Sequence, residues 1–165
     1  MGQNGPKADV IQLTFPSQTE YLGVARLTVS GVANRMGFSY EDIEDIKLAV
    51  GEACTNAVEH AYGEDEEPGA IHMTCHVHSD RLVIEISDQG VGFAGELKPD
   101  QLTPIYSGRD IDDLEEGGLG LYLIHTLMDE VVIRSDRGVA ISMTKYVRRD
   151  GVAGDDDWTI SKAEV

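Results

Sequence analysis

The stretch Ile43-Glu44-Asp45-Ile46-Lys47-Leu48-Ala49-Val50-Gly51-Glu52-Ala53-Cys54-Thr55-Asn56-Ala57 sets apolar residues at Ile43, Ile46, Val50, Ala53 and Ala57, the spacing of a helix with one buried face. Ser39, ahead of Tyr40-Glu41-Asp42, offers an N-cap, and Gly63 offers a stop. At about 100° per residue, Glu52 and Asn56 share the edge of this helix, roughly 110° from the centre of its apolar stripe. A helix of this kind needs a partner layer for its apolar face, and the flanking sequence supplies strands.

Upstream, Val10-Ile11-Gln12-Leu13-Thr14-Phe15 reads as a first strand ended by Pro16-Ser17. Ser17, with Glu20 three residues on, is expected to cap a helix whose apolar stripe runs through Tyr21, Val24, Ala25, Leu27, Val29 and Val32 to about Met36-Gly37. Downstream the period changes to two: Ile71, Met73, Cys75 and Val77 alternate with His72, Thr74, His76 and His78. Ser79-Asp80 then turns into Leu82, Ile84 and Ile86, predicting an antiparallel hairpin. Gln89 to Glu116 has little periodicity and many acids, and is expected to be a lid-like loop. A third helix follows Gly117-Gly118-Leu119-Gly120 through Leu121, Ile124, Leu127 and Met128, and a closing hairpin is expected from Glu130–Arg134 and Val139–Val147 around Asp136-Arg137-Gly138. The predicted fold class is α+β, a two-layer sandwich with helices on one face of a mostly antiparallel sheet. Its expected bounds are residues 9–149, with a flexible N-terminus at 1–8 and a polar acidic tail at 150–165.

With 165 residues, of which 41% are hydrophobic, the chain suits one core and one domain. A formal net charge of -17, with only 13 Lys and Arg, argues against direct nucleic-acid binding, whose affinity comes from cations neutralising phosphates. It favours a basic protein partner or a nucleotide masked by a divalent cation. No apolar leader or membrane-length segment is present in the sequence, so a cytoplasmic protein is expected. Cys54 and Cys75 fall inside apolar patterns and read as buried free thiols. His72, His76 and His78 share a strand face with Cys75 opposite, an arrangement that suits a solvated face better than a metal site.

Three motifs bear on chemistry. A carboxylate one helical turn from a carboxamide, as in Glu52 and Asn56, divides the labour of phosphoryl transfer: the amide oxygen serves Mg²⁺ and the carboxylate accepts a proton. The same pair also suits an ordinary solvated helix edge. Asp88-Gln89-Gly90-Val91-Gly92 lies at a strand end, where Asp88 can accept from an adenine amino group and the bare backbone at Gly90 and Gly92 can approach a ligand. A plain turn uses glycines in the same way. Gly117-Gly118-Leu119-Gly120-Leu121 opens a helix, whose free N–H groups and dipole form an anion site. No Lys-Ser/Thr follows it, so it is not a P-loop, and no strand directly precedes it, so it is not a dinucleotide fingerprint.

Taken in this order, the motifs resemble those of the ATP-binding superfamily of gyrase, Hsp90, histidine kinases and MutL, over about Val10 to Arg149. Glu52 and Asn56 match its N box, Asp88, Gly90 and Gly92 its first glycine box, and Gly118-Leu119-Gly120-Leu121 its second. The resemblance implies the Bergerat-type sandwich, bound ATP and Mg²⁺, Glu52 as catalytic base, Asn56 as the metal ligand, and Thr144 near the adenine pocket through water. Glu20–Leu27, Ile46–Tyr62 and Glu116–Leu123 look most like the anti-sigma-B serine kinases of Gram-positive bacteria. That likeness implies a homodimer that inhibits a stress sigma factor and phosphorylates a serine on a STAS-fold anti-anti-sigma protein. Some related kinases carry a basic residue just before the second glycine box; here Glu115-Glu116 stand there, leaving Arg109 as the nearby cation. A histidine-kinase-like catalytic domain shares the motifs but needs a helical phosphoacceptor domain, for which little chain precedes Val10. A nucleotide-gated binding protein and a hydrolytic ATPase fit the same residues.

Overall fold

The computed structural model describes residues 7–60, 69–88, 118–134 and 140–148. Strand β1 (Asp9–Pro16) leads through a short 3-10 turn at Thr19–Tyr21 into helices α1 (Leu22–Met36) and α2 (Tyr40–His60). Strands β2 (Ala70–Val77) and β3 (Arg81–Ser87) follow, then helix α3 (Gly118–Leu127) and strands β4 (Glu130–Arg134) and β5 (Ala140–Tyr146). All strand pairs are antiparallel, in the order β1-β2-β3-β5-β4, so β5 comes back to lie between β3 and β4. The expected α+β sandwich is the one observed. Both expected hairpins form as well, with the turn at 135–139 outside the described residues.

Alternation decides which face of the sheet is covered. Ile71, Met73 and Cys75 of β2, Leu82, Ile84 and Ile86 of β3, and Ile141 and Met143 of β5 are all buried, while His72, Thr74 and His76 between them are half-buried. Against this face lie Ile46, Ala49, Val50, Ala53, Cys54 and Ala57 of α2, Ala25, Val29 and Val32 of α1, and Ile124 of α3 in one hydrophobic cluster. Full burial of each larger aliphatic side chain contributes roughly 1.5–3 kcal/mol, so this cluster between the helices and the sheet contributes strongly to stability. Ser39 caps α2 as expected, its Oγ accepting from the Asp42 N–H at 3.1 Å. Gly37, at φ 90, ends α1 in the left-handed conformation that glycine adopts without strain. Among the described residues, no helix is long and apolar enough to cross a membrane. Gly63 and the 89–116 segment lie outside the described residues.

The entry to α1 departs from expectation. Ser17 does not cap a helix: its N–H donates to Gly69 O at 2.9 Å, its side chain is buried, and the 3-10 turn intervenes before Leu22. The end of β1 is pinned to the start of β2 at this point, and that fixes Ser17 away from the helix end.

Cys54 and Cys75 are buried free thiols. Burial pushes both up to about 12 from the ordinary 9.0, with Arg26 drawing Cys54 back slightly. Because the folded values lie above the unfolded one, their contribution is complete below pH 9.0 and is lost as pH rises towards about 12. Denaturation midpoints should therefore fall across that range, and Cys54→Ala/Cys75→Ala should show a shallower fall than the parent. Equal slopes in the two chains would contradict this account.

Candidate functional site

The polar edge of α2 meets the start of α3. Asn56 is buried at 6% exposure, Glu52 is half-buried one turn earlier, and Gly120 faces both. A Cβ placed on Gly120 would lie 2.9 Å from Glu52 Oε2 and 3.7 Å from Asn56 Nδ2, so only glycine lets the helices approach this closely with the carboxylate where it stands. Gly118 and Leu119 form the first turn of α3, where backbone N–H groups have no helical partner and the dipole favours an anion. The structure thus joins the N-box pair to the second glycine motif.

Asp88 follows the last residue of β3, whose Ser87 pairs with His72 on one side and Ala140 on the other, so Asp88 leaves from the middle of the sheet. It is 2% exposed. A carboxylate this buried at a strand end is a built acceptor rather than a solvated surface acid. Gly90, Gly92 and Arg109 lie outside the described residues. Leu121 packs against the hydrophobic core.

Thr144 of β5 is buried at 7% exposure. Ile141 and Met143 of β5 point into the core, and Lys145 reaches α2 and α3 on the same side, so by alternation Thr144 lies on the sheet face away from the helices. It pairs with Val83 and Glu130 and is separated by the sheet itself from Asn56 and Gly120.

The arrangement fits a nucleotide and a divalent cation. Asn56 Nδ2 is buried with no hydrogen-bond partner among the described residues, beside the Gly120 cradle. A carboxamide in that position can offer its N–H to a phosphate oxygen or, turned over, its oxygen to a cation. Glu52 stands next to it, and a carboxylate there is able to accept a proton. A separate groove of about 590 Å³ runs between α1 and the β1 edge, lined by Ile11, Leu27, Arg35 and His78 among others, and none of the site residues lines it.

Two residues that the motifs did not single out also shape this layer. Lys145 is 4% exposed and lies 3.8 Å from both Asp42 Oδ1 and Asp45 Oδ2 of α2, while its ammonium donates to Leu127 O at the end of α3. A lysine in the inward phase of a strand, after Ile141 and Met143, was the available signal. Arg26 of α1 lies across Gly51, its Nε 2.9 Å from where a Cβ would sit.

Residues 15–145 match the family described as the histidine kinase-like ATPase domain. A serine-protein kinase RsbW of Halalkalibacterium halodurans is 50% identical over 144 residues, covering 87% of each chain. The proteins of that name from Bacillus licheniformis and Bacillus subtilis are 49% and 48% identical over 157 residues, covering 95% of this chain and 96% of each relative. A solved structure of the RsbU and RsbW domains of a Mycobacterium tuberculosis protein superposes with a TM-score of 0.59 at 20% identity, over 85% of this chain and 33% of that one. That likeness is one of fold.

Proposed function

The chain belongs to the histidine kinase-like ATPase family, among its serine-protein kinases named RsbW, and from that premise we propose that it is a cytoplasmic anti-sigma factor that phosphorylates its own antagonist. The substrate in this reading is a serine on a STAS-fold anti-anti-sigma protein, and the phosphoryl donor is Mg²⁺-ATP. The observation that carries the reading is the packing of Gly120 against both Glu52 and Asn56, which supports a phosphate and a proton acceptor at one point.

Asp88 accepts from the adenine amino group, and the start of α3 at Gly118 and Gly120 receives the phosphates on its N–H groups. Asn56 would hold Mg²⁺, which supplies charge neutralisation at the phosphates when bound. The serine Oγ attacks the γ-phosphorus while its proton passes to the Glu52 carboxylate. The bond from γ-phosphorus to the β–γ bridging oxygen breaks, and ADP leaves. Glu52 suits this role because it stands between α2 and α3 and remains half-exposed.

The sigma factor, of the sigma-B type, is the second partner. Its DNA-binding faces are basic, so a chain of net charge -17 attracts them and salt weakens the encounter. Phosphorylation of the anti-anti-sigma protein adds about two negative charges beside an acidic kinase and releases it. A homodimer completes the proposal. Exposed Val10 and Ile11 on the open edge strand β1 and exposed Leu27 on α1 support such self-association. The test is to mix the chain, a sigma-B-type factor and a STAS-fold anti-anti-sigma protein with ADP or ATP and to measure the masses of the complexes. Sigma factor should be displaced with ADP and recaptured with ATP as label from γ-labelled ATP reaches the serine. A ternary complex indifferent to nucleotide overturns the partner switch, and label lost only to water makes the chain an ATPase.

A further inference from the structure

We propose that Lys145 is a positioning residue for the nucleotide site: it sets the register of α3 along α2 and thereby holds Gly120 against Glu52 and Asn56. The inference rests on the site reading above and concerns a residue outside that site.

Two sets of contacts bear on how far α3 lies along α2. In one, Lys145 Nζ bridges Asp42 and Asp45, near the start of α2, to Leu127 O, the last residue of α3. In the other, Gly120 in the first turn of α3 faces Glu52 and Asn56, later in α2. The start of one helix therefore meets the end of the other, and they run antiparallel. Glu52 lies seven residues after Asp45, and Gly120 lies seven residues before Leu127. Seven residues span about 10 Å and close to two turns, so one relative placement of the helices satisfies both ends.

The alternatives are disfavoured at the lysine end. A slip of α3 by one turn, about 5.4 Å, takes Leu127 O out of reach while the acids remain with α2. A buried ammonium that loses a partner is far costlier than one with all of them, and fixing register is the best-attested use of such buried charges. Neighbouring bonds reinforce the end: Asp129 N–H donates to Thr144 O at 2.9 Å and Asp129 Oδ2 accepts from Tyr146 N–H at 2.7 Å, tying the exit of α3 to β5 on both sides of Lys145.

The experiment compares Lys145→Met, Lys145→Arg and Asp45→Asn in the full chain. For each it measures melting temperature, Mg²⁺-ADP affinity by calorimetry, and kcat for labelling the STAS-fold protein. Lys145→Met should lose about tenfold or more in kcat and a smaller factor in Mg²⁺-ADP affinity, because a displacement of about an ångström between α3 and α2 acts on transfer more than on binding, which the adenine contact also supports. Lys145→Arg, which keeps a cation that reaches the same acceptors, should recover most of that kcat. Asp45→Asn, at the half-exposed partner, should fold normally and lose about threefold in kcat. Folded Lys145→Met with parental kcat overturns the proposal, as does equal kcat in the Met and Arg chains. If Lys145→Met does not fold, Asp45→Asn decides, and unchanged kcat there overturns it. Failure of the site reading is seen separately: the parent chain would not bind Mg²⁺-ADP, or Glu52→Gln would transfer phosphate normally.

Discussion

Glu52→Gln should bind Mg²⁺-ATP almost as the parent does and lose phosphoryl transfer by about 10²–10⁴-fold, the usual worth of a positioned general base. The amide keeps the length and volume of the side chain beside Gly120, so the contact of α2 with α3 is unchanged and the melting temperature should stay put. What disappears is the ability to take the serine proton. Calorimetry with Mg²⁺-ADP and transfer of label from γ-labelled ATP separate the two quantities. Undiminished labelling would place the base elsewhere. Asn56→Ala makes the informative contrast. Its amide nitrogen is already buried without a partner among the described residues, a situation that costs roughly 1–3 kcal/mol, so truncation should alter the unliganded fold little while removing Mg²⁺-dependent binding and activity together.

Gly120→Ala is expected to separate stability from activity even more cleanly. The residue is helical and its φ is not positive, so alanine meets no backbone penalty and gains roughly 1 kcal/mol of helix propensity. The new methyl, however, would stand 2.9 Å from Glu52 Oε2, closer than atoms tolerate. Since the obstructed atom is the far end of a flexible side chain, the carboxylate swings aside and the helices stay in place. Melting temperature should hold or rise, and kcat should fall about 10²-fold because the base is displaced from its working position. A thermodynamic cycle checks the cause: once Glu52 is Gln and no longer works as a base, adding Gly120→Ala should cost little further activity. Full additivity of the two losses would mean that Gly120 acts on the phosphates alone.

Much of this molecule is legible in local pattern. The change from helical period to period two at Ile71, the capping by Ser39, and the stop at Gly37 are written into neighbouring residues, and they determined the helices, the hairpins and the sandwich class. The order of the three motifs along the chain determined the family. The face on which Thr144 lies was also there to be read, in the inward phase of Ile141 and Met143. Tertiary structure alone decided the rest. Ser17 has the sequence of a cap, yet a backbone bond to Gly69, far along the chain, holds it elsewhere. Gly120 is an ordinary loop-to-helix glycine until α3 is laid against α2, and Lys145 is an ordinary charge until Asp42, Asp45 and Leu127 O surround it. Periodicity reports which face of an element is buried, but it carries no information on how far one element slides along another. That register is set by contacts between residues distant in sequence, and it places the carboxylate, the amide and the glycine at one point.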